Sequence, residues 1–265
     1  MDTSLARGII AASVDGPVLT ITIDNPGKRG ALLPDSYRAI GDLVRSASSD
    51  PAVRAVIITG DDKAFSSGMD IDVFLDEGTR QTHPELGVRD TLIDIEYMAQ
   101  SIVRAAVPVI AAVEGACAGI GASVAFLCDL IVAGEKAFFT LPFTAIGLIP
   151  DGGVLATLTA SVGRHRAMDM VLRHTRISAR DAYDFGLVTQ LAPDALATAR
   201  DIAQGLTLSP REAVGRTKAA VNQASLAQMS RSLESEAMVQ TRLLGSPEHA
   251  EGAAAFREKR RPRFT

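Results

Sequence analysis

One stretch of this chain, residues 105–133, restricts the fold more than any other, because it is nearly all apolar. Two acidic residues and several glycines interrupt it, so it reads as buried core and not as a membrane span. Residues 109–113 and 129–133 are short apolar runs typical of buried strands. A glycine-rich turn at 115–121 and a short predicted helix separate them. This order of strand, turn, helix and strand predicts an α/β fold with parallel pairing.

The rest of the chain divides into two regions by its periodicity. Before residue 195, runs at 8–14 and 18–24 predict a hairpin, helical spacing covers 34–48, and the β-branched run 53–59 predicts a buried strand. After residue 163, helical spacing dominates, with predicted helices over 164–174, 179–185, 195–206, 210–223 and 226–244. We therefore predict a core over 1–195 and a helical C-terminal region over 196–265.

Composition excludes several classes of function. The formal net charge of −4 over 265 residues gives no electrostatic attraction for nucleic acid. Two cysteines make no disulfide framework, and no spacing of ligand residues suggests a metal site. The first eight residues lack the apolar run of a signal peptide, so we expect a cytoplasmic protein without membrane partners. An anionic ligand would have to be held by a few local cations or by backbone dipoles.

Two loops follow predicted strands and are rich in small residues. The first is KAFSSGMD (63–70) and the second is EGACAGIGAS (114–123), which enters a helix. Backbone N–H groups at such a turn and helix start can bind an anion, and two loops giving one N–H each would form an oxyanion hole. The alternative is that the glycines only allow tight turns with positive φ.

A series of motifs in order along the chain resembles the crotonase (enoyl-CoA hydratase/isomerase) superfamily. The matching segments are Asn25-Pro26, VRAVIITG (53–60), KAFSSGMD, residues 108–139, GLIPDGG (147–153), ISARDAYDFGLV (177–188) and FREKRRPRF (256–264). The resemblance implies a spiral of ββα repeats closed by C-terminal helices that drive trimers, often paired into hexamers. It also implies a CoA thioester substrate, acyl-CoA or enoyl-CoA, with no cofactor beyond the CoA that the substrate carries.

The resemblance also assigns roles to individual positions. It puts the two oxyanion-hole N–H groups on Ser66 and Ile120, where the family usually has glycine at the second position. The isoleucine side chain is permitted if it points away, and it narrows the acyl pocket. Contacts to CoA are implied for Ala64, Ser66, Asp70, Lys259 and Arg260, and Lys28 or Arg29 could contribute from the other side. Solvated surface charge is the alternative for the four cations.

Both glutamates that hydratases of this family use are replaced. The positions are Ser123 and Phe143, and neither side chain can orient a water and pass its proton as a carboxylate pair does. We therefore expect little or no hydratase activity. With Ile120 and Leu148, these two residues are predicted to line the acyl pocket.

One carboxylate remains in a suitable motif, Asp151 in GLIPDGG. It resembles the acid/base aspartate of the enoyl-CoA isomerase branch, and apolar neighbours would raise its pKa toward neutrality. A double-bond shift needs one base and no water. The alternative is that Asp151 caps the helix that begins near Gly152.

Two other functions are compatible with the same residues. A lyase or hydrolase using the same enolate would need a second acid/base, which the segment 72–97 could supply through residues such as His83. A non-catalytic acyl-CoA-binding protein would also explain Ser123 and Phe143. His165 and His174 are interpreted as helix-surface residues and His249 as a tail residue.

Overall fold

The computed structural model describes residues 4–5, 9–72 and 88–264. Strands β1 to β5 are Ser4–Leu5, Ile10–Asp15, Val18–Ile23, Ala55–Thr59 and Ala64–Ser66, with helix α1 at Pro34–Ser49. Helix α2 is Val88–Val103, followed by β6 Val109–Val113, β7 Ala116–Ala118, α3 Ile120–Leu127, β8 Leu130–Gly134 and β9 Phe138–Thr140. Then come a 3₁₀ turn Thr144–Ile146, α4 Val154–Val162, α5 Arg164–Arg173, β10 Ile177–Ser178, α6 Ala179–Asp184 and β11 Gln190–Ala192. The chain ends in α7 Ala195–Thr207, α8 Arg211–Ser225, α9 Met229–Leu244 and α10 Pro247–Arg257.

The strands form two sheets in a repeating order. The larger sheet runs β1-β2-β3-β4-β6-β8-β11 and the smaller runs β10-β9-β7-β5. In three successive turns of chain, β4–β5, β6–β7 and β8–β9, the first strand joins the larger sheet and the second joins the smaller one. The pairs β4/β6, β6/β8, β5/β7 and β7/β9 are parallel. This confirms the predicted α/β spiral of ββα repeats and the antiparallel β2/β3 hairpin.

The larger sheet is covered on both faces, which explains its uniformly apolar strands. In β4, Val56 and Ile58 pack into the main core, whereas Ala55 and Ile57 face the other way. That second face packs against α7, through small residues such as Ala199. The predicted boundary at 195/196 falls at the start of α7, and the division into two regions and the oligomerising role stay predictions.

The end of the chain differs from the expectation of a tail. Residues 247–257 form α10, because Ser246 accepts a hydrogen bond from the His249 N–H and Pro247 occupies a first-turn position. The interpretation of His249 as a tail residue is therefore wrong, since the residue lies in α10 and is only 4% exposed. Within the described residues, no helix is both long and apolar enough to cross a membrane.

Candidate active site

An apolar cavity lies where the first two loops meet the C-terminal helices. The loop after β5 contributes Ser67, Gly68 and Met69, and the start of α3 contributes Gly119 and Ile120. The segment before α4 adds two apolar residues and one carboxylate, which are Phe143, Leu148 and Asp151. Helices α9 and α10 complete the cavity wall with Gln240, Leu244, His249 and Phe256. Three of the four predicted acyl-pocket residues, Ile120, Phe143 and Leu148, thus line one cavity with Asp151.

The hydrogen bonds of Leu32 determine which way the first loop faces. The Leu32 N–H donates to the Gly68 carbonyl (2.7 Å) and the Asp70 N–H donates to the Leu32 carbonyl (2.9 Å). In such a parallel bridge the residue between the two contacts, Met69, directs its own N–H and C=O away from Leu32. Gly68 approaches Ala118 and Gly119 of the second loop closely. The backbone N–H of Met69 is therefore not used by Leu32, and Met69 lines the cavity together with Ile120 of the second loop.

Ser66 is placed differently from the expectation. It ends β5, its side chain is fully buried, and its hydroxyl donates to the Gly30 carbonyl (2.7 Å) and accepts from the Gly68 N–H (3.1 Å). On this segment the described cavity wall begins after Ser66 and consists of Ser67, Gly68, Met69 and Ile71. The Ser66 side chain thus stabilises the loop without lining the cavity. Its predicted contact with the ligand stays a prediction.

The second loop brings a helix start to the cavity. Gly119 has φ 54° and precedes Ile120, the first residue of α3. The N–H groups of a first helical turn have no acceptor within the helix. A Cβ on Gly152 would lie 2.6 Å from Ile120 Cδ1, so the isoleucine side chain packs onto the turn that follows Asp151. Ile120 can therefore offer its backbone N–H to a ligand in the cavity while its side chain forms part of the cavity wall.

Ser123 does not line the cavity, contrary to expectation. It is fully buried on α3, and its hydroxyl donates to the backbone carbonyl of Asp151 (2.8 Å). This hydrogen bond holds the Asp151 turn in place. It also satisfies a buried hydroxyl donor, which would destabilise the fold if it had no partner. Phe143 does reach the cavity and adds apolar surface there.

Asp151 has an asymmetric environment. Its Oδ2 accepts a hydrogen bond from Gln240 Nε2 (2.7 Å), whereas Oδ1 is buried with no hydrogen-bond partner among the described residues. Burial raises the pKa of Asp151 to about 7 from its usual 3.8; the Gln240 hydrogen bond opposes this shift and the Glu236 carboxylate adds to it. A carboxyl with such a pKa can both accept and return a proton near neutral pH.

The alternative role of Asp151, capping a helix, does not match the geometry. Helix α4 begins at Val154, and Gly153 at its N-cap has no side-chain cap. The Gly153 N–H donates instead to Glu236 Oε2 (2.8 Å), from helix α9. Glu236 therefore satisfies the helix start and leaves the Asp151 carboxyl to the cavity.

The predicted CoA contacts fall into two groups. Lys28 and Arg29 adjoin the cavity loop, because the Ser67 N–H donates to the Arg29 carbonyl (2.9 Å) and the Ser67 hydroxyl to the Lys28 carbonyl (2.9 Å). The Lys28 ammonium pairs with Asp70 (3.0 Å), a buried carboxylate. Ala64, by contrast, is fully buried within β5, so its side chain cannot contact adenine from there.

The basic C-terminus follows the end of α10. Arg260 pairs with Glu251 (2.6 Å), and Lys259 is an exposed residue with φ 53°. Phe256, one turn earlier, lines the cavity of the same chain. The predicted contacts of Lys259 and Arg260 with CoA phosphates stay predictions.

The segment 72–97 is described only in part. His83, Asp76, Glu77 and Glu85 lie outside the described residues. Thr91 and Leu92 line the cavity. Asp94 pairs with Arg38, and the Tyr97 hydroxyl donates to Asp42 (2.7 Å), so both are engaged away from the cavity wall.

Four residues near Asp151 were not foreseen from the sequence. They are Tyr37, whose buried hydroxyl has no partner among the described residues, and Glu236, Gln240 and His249. Burial and, secondarily, the Asp151 carboxylate raise the pKa of Tyr37. The one available signal was Glu236 and Gln240, spaced four apart on one face of a predicted helix.

Comparison with known proteins gives a consistent result. A family model described as enoyl-CoA hydratase/isomerase matches residues 14–265. The chain is 31% identical over 263 residues to the 1,2-epoxyphenylacetyl-CoA isomerase of Escherichia coli (strain K12), covering 97% of this chain and 98% of the relative. It is 34% identical over 251 residues to the mitochondrial enoyl-CoA hydratase of Pongo abelii, covering 92% and 82%. The crystal structure of an enoyl-CoA hydratase from Mycobacterium avium subsp. paratuberculosis K-10 superposes with a TM-score of 0.88 at 36% identity, covering 97% of this chain and 98% of that one.

Proposed function

The chain belongs to the enoyl-CoA hydratase/isomerase family, and on that premise we propose that it is an enoyl-CoA isomerase with Asp151 as its acid/base. The observation that carries the proposal is the Asp151 carboxyl: it lines the apolar cavity, has one oxygen without a partner among the described residues, and has a pKa raised to about 7. Relatives carry both hydratase and isomerase names, so family membership alone leaves the reaction open.

The proposed reaction shifts a double bond from C3 to C2 of the acyl chain. Asp151 Oδ1 removes a proton from C2, and the electron pair of that C–H bond becomes the C1–C2 double bond of a dienolate. The charge that develops on the thioester oxygen is held by two backbone N–H groups. The protonated Asp151 then returns the proton to C4, and the C2–C3 double bond forms. No water enters, so the absence of carboxylates at 123 and 143 is no obstacle.

The two N–H donors that we propose are those of Met69 and Ile120. The Leu32 bridge directs the Met69 N–H away from Leu32, and Ile120 N–H is at a helix start where an anion is favoured. Both residues line the cavity that contains Asp151. Met69 is thus proposed as the first oxyanion-hole donor, the role that the resemblance gave to Ser66. Ser66 does not line the cavity.

The ionisation of Asp151 should determine how the reaction rate depends on pH. The first step needs the carboxylate, so kcat/KM for a 3-enoyl-CoA should rise about tenfold per unit below pH 7 and level off above it. Initial rates between pH 5 and 9 measure this limb, and the affinity for a saturated acyl-CoA over the same range is the control. A rate profile that is flat across neutral pH would count against Asp151 as the base.

A second candidate function, a lyase or hydrolase acting on the same enolate, is favoured by His249. Its side chain is buried and lines the cavity, and Nδ1 lies 2.8 Å from the Ile146 carbonyl. Since a carbonyl only accepts, Nδ1 carries a proton in this contact. Free CoA or a shortened acyl chain among the products would identify this outcome.

We further propose that the protein forms homotrimers or dimers of trimers through its C-terminal helices, resides in the cytoplasm, and uses no cofactor beyond the CoA of its substrate. Lys28, Arg29, Lys259 and Arg260 are proposed to contact the CoA moiety.

A further inference from the structure

We propose that Gln240 is a positioning residue: it holds one oxygen of the Asp151 carboxyl and presents the other, Oδ1, to the substrate. This inference rests on the proposed role of Asp151 as acid/base. Gln240 is on α9, 89 residues away from Asp151 in sequence, and the residue is 2% exposed. It has no part in the chemistry described above and acts only through Asp151.

The hydrogen bonds of Gln240 fix the orientation of its amide. Oε1 accepts from the Ile149 N–H (3.2 Å), and Nε2 donates to the Ile149 carbonyl (3.1 Å) and to Asp151 Oδ2 (2.7 Å). A flipped amide would place its oxygen against two acceptors and its NH₂ against a donor, so only one orientation is compatible. Gln240 is therefore always a donor toward Asp151.

That orientation distinguishes the two carboxyl oxygens. Oδ2 accepts from Gln240 whether or not Asp151 is protonated, so a proton arriving on the carboxyl goes to Oδ1. Oδ1 has no other partner among the described residues. A proton-transfer atom has to be held in place. Gln240 fixes the carboxyl through Oδ2 and thereby leaves Oδ1 as the oxygen that exchanges the proton.

The turn that carries Asp151 is fixed from the same helix. Glu236, one turn before Gln240, accepts from the Gly153 N–H (2.8 Å) and from the Ser232 hydroxyl (2.7 Å). From the other side, Ser123 holds the Asp151 carbonyl. Helix α9 therefore binds residues 149–153 through two side chains, Glu236 and Gln240. Of these two, only Gln240 contacts the carboxyl of Asp151.

The charges around Asp151 determine the sign of the expected effect. The titratable groups that approach it in the described residues are Glu236 on α9, Tyr37 on α1 and His249 on α10, which lines the same cavity. Burial and Glu236 raise the pKa of Asp151, and the Gln240 bond lowers it. Removing that bond must therefore raise the pKa further.

The test is the pH dependence of Gln240→Leu, with Gln228→Leu as the matched control. Gln228 is at the N-terminus of the same helix, is exposed, and makes no side-chain cap. In Gln240→Leu the acid limb of the kcat/KM profile for a 3-enoyl-CoA should move up by about one unit or more, because a hydrogen bond to a charged group is lost. The rate at pH 6 should fall about tenfold more than the rate at pH 9.

A structural role alone would lower the rate equally at all pH values, and an unshifted limb in Gln240→Leu would overturn the proposal. If that variant does not fold, Gln240→Glu is the second variant, since it keeps an acceptor for the Ile149 N–H but loses the neutral donor; its limb should also move up. If the wild-type protein has no isomerase activity, the proposed function fails separately. The pKa of Asp151, measured by ¹³C NMR of its carboxyl carbon in wild type and variant, then decides the role of Gln240 without turnover, and equal values would overturn it.

Discussion

Asp151→Asn is expected to lower kcat for the conversion of a 3-enoyl-CoA to the 2-enoyl-CoA by roughly 10²- to 10⁴-fold, the usual contribution of a positioned acid/base. The amide is close in shape to the carboxyl and can still accept from Gln240, which lies 2.7 Å from Oδ2. Affinity for a saturated acyl-CoA should be retained. Steady-state rates and calorimetric binding measure the two effects, with the exposed Asp201→Asn on α7 as the matched substitution.

The stability of the same variant provides an independent check. The folded-state pKa of about 7 lies above the usual 3.8, so the folded protein binds this proton more tightly than the unfolded chain does. The stabilising contribution is therefore complete below about pH 4 and is lost as pH rises toward 7. Because asparagine does not titrate, the Tm of Asp151→Asn relative to wild type should increase from pH 5 to pH 8. Unchanged turnover in Asp151→Asn would show that another group is the base.

Gly115→Ala is expected to reduce the free energy of unfolding by about 3 kcal/mol or more. Gly115 connects β6 to β7 with φ +56°, and a Cβ there would overlap the Lys63 carbonyl at the start of the first loop. Neither backbone segment can yield easily, because Gly115 also accepts from the Phe138 N–H (2.9 Å). The two loops that carry the proposed N–H donors are thus held together at a point that excludes any side chain.

The matched control is Gly186→Ala. Gly186 follows α6 with φ +81°, and no atom lies within 4 Å of an added Cβ. The Leu187 N–H donates to the Ala182 carbonyl (2.9 Å), as expected for a left-handed glycine that ends a helix. The substitution should cost only the left-handed conformation, about 1–2 kcal/mol. Urea unfolding of both variants separates crowding from backbone strain. Equal losses in the two variants would contradict the close contact of the loops.

The fold was largely predictable because its signals are local. β-branched runs such as 53–59 bury both faces of a parallel strand, and a glycine follows such runs, as Gly60 does here. The ββα order therefore follows from short segments. Strand and helix ends shifted by one to three residues; the helix predicted from 226 begins at Met229. The C-terminal helix α10 was missed, since residues 247–257 show little periodicity.

The candidate site was predictable only in part. Asp151 and Ile120 were located by motif, but which N–H of the first loop faces the ligand depends on the bridge to Leu32, more than 30 residues earlier. No local pattern contains that register. Gln240 is a similar case, since a polar residue on a helix reads as exposed surface until the turn that it binds is known. Ser123 reads as a lost catalytic group, whereas the structure shows it bound to the Asp151 carbonyl.

An assay of the purified protein with a 3-enoyl-CoA and a 2-enoyl-CoA side by side tests the central claim most directly. The claim rests on Asp151 lining the cavity and on Ser123 and Phe143 in place of carboxylates. We predict conversion of the 3-enoyl-CoA to the 2-enoyl-CoA, without hydration of the 2-enoyl-CoA to a 3-hydroxyacyl-CoA. Hydration of the 2-enoyl-CoA, or no conversion of the 3-enoyl-CoA, would contradict it.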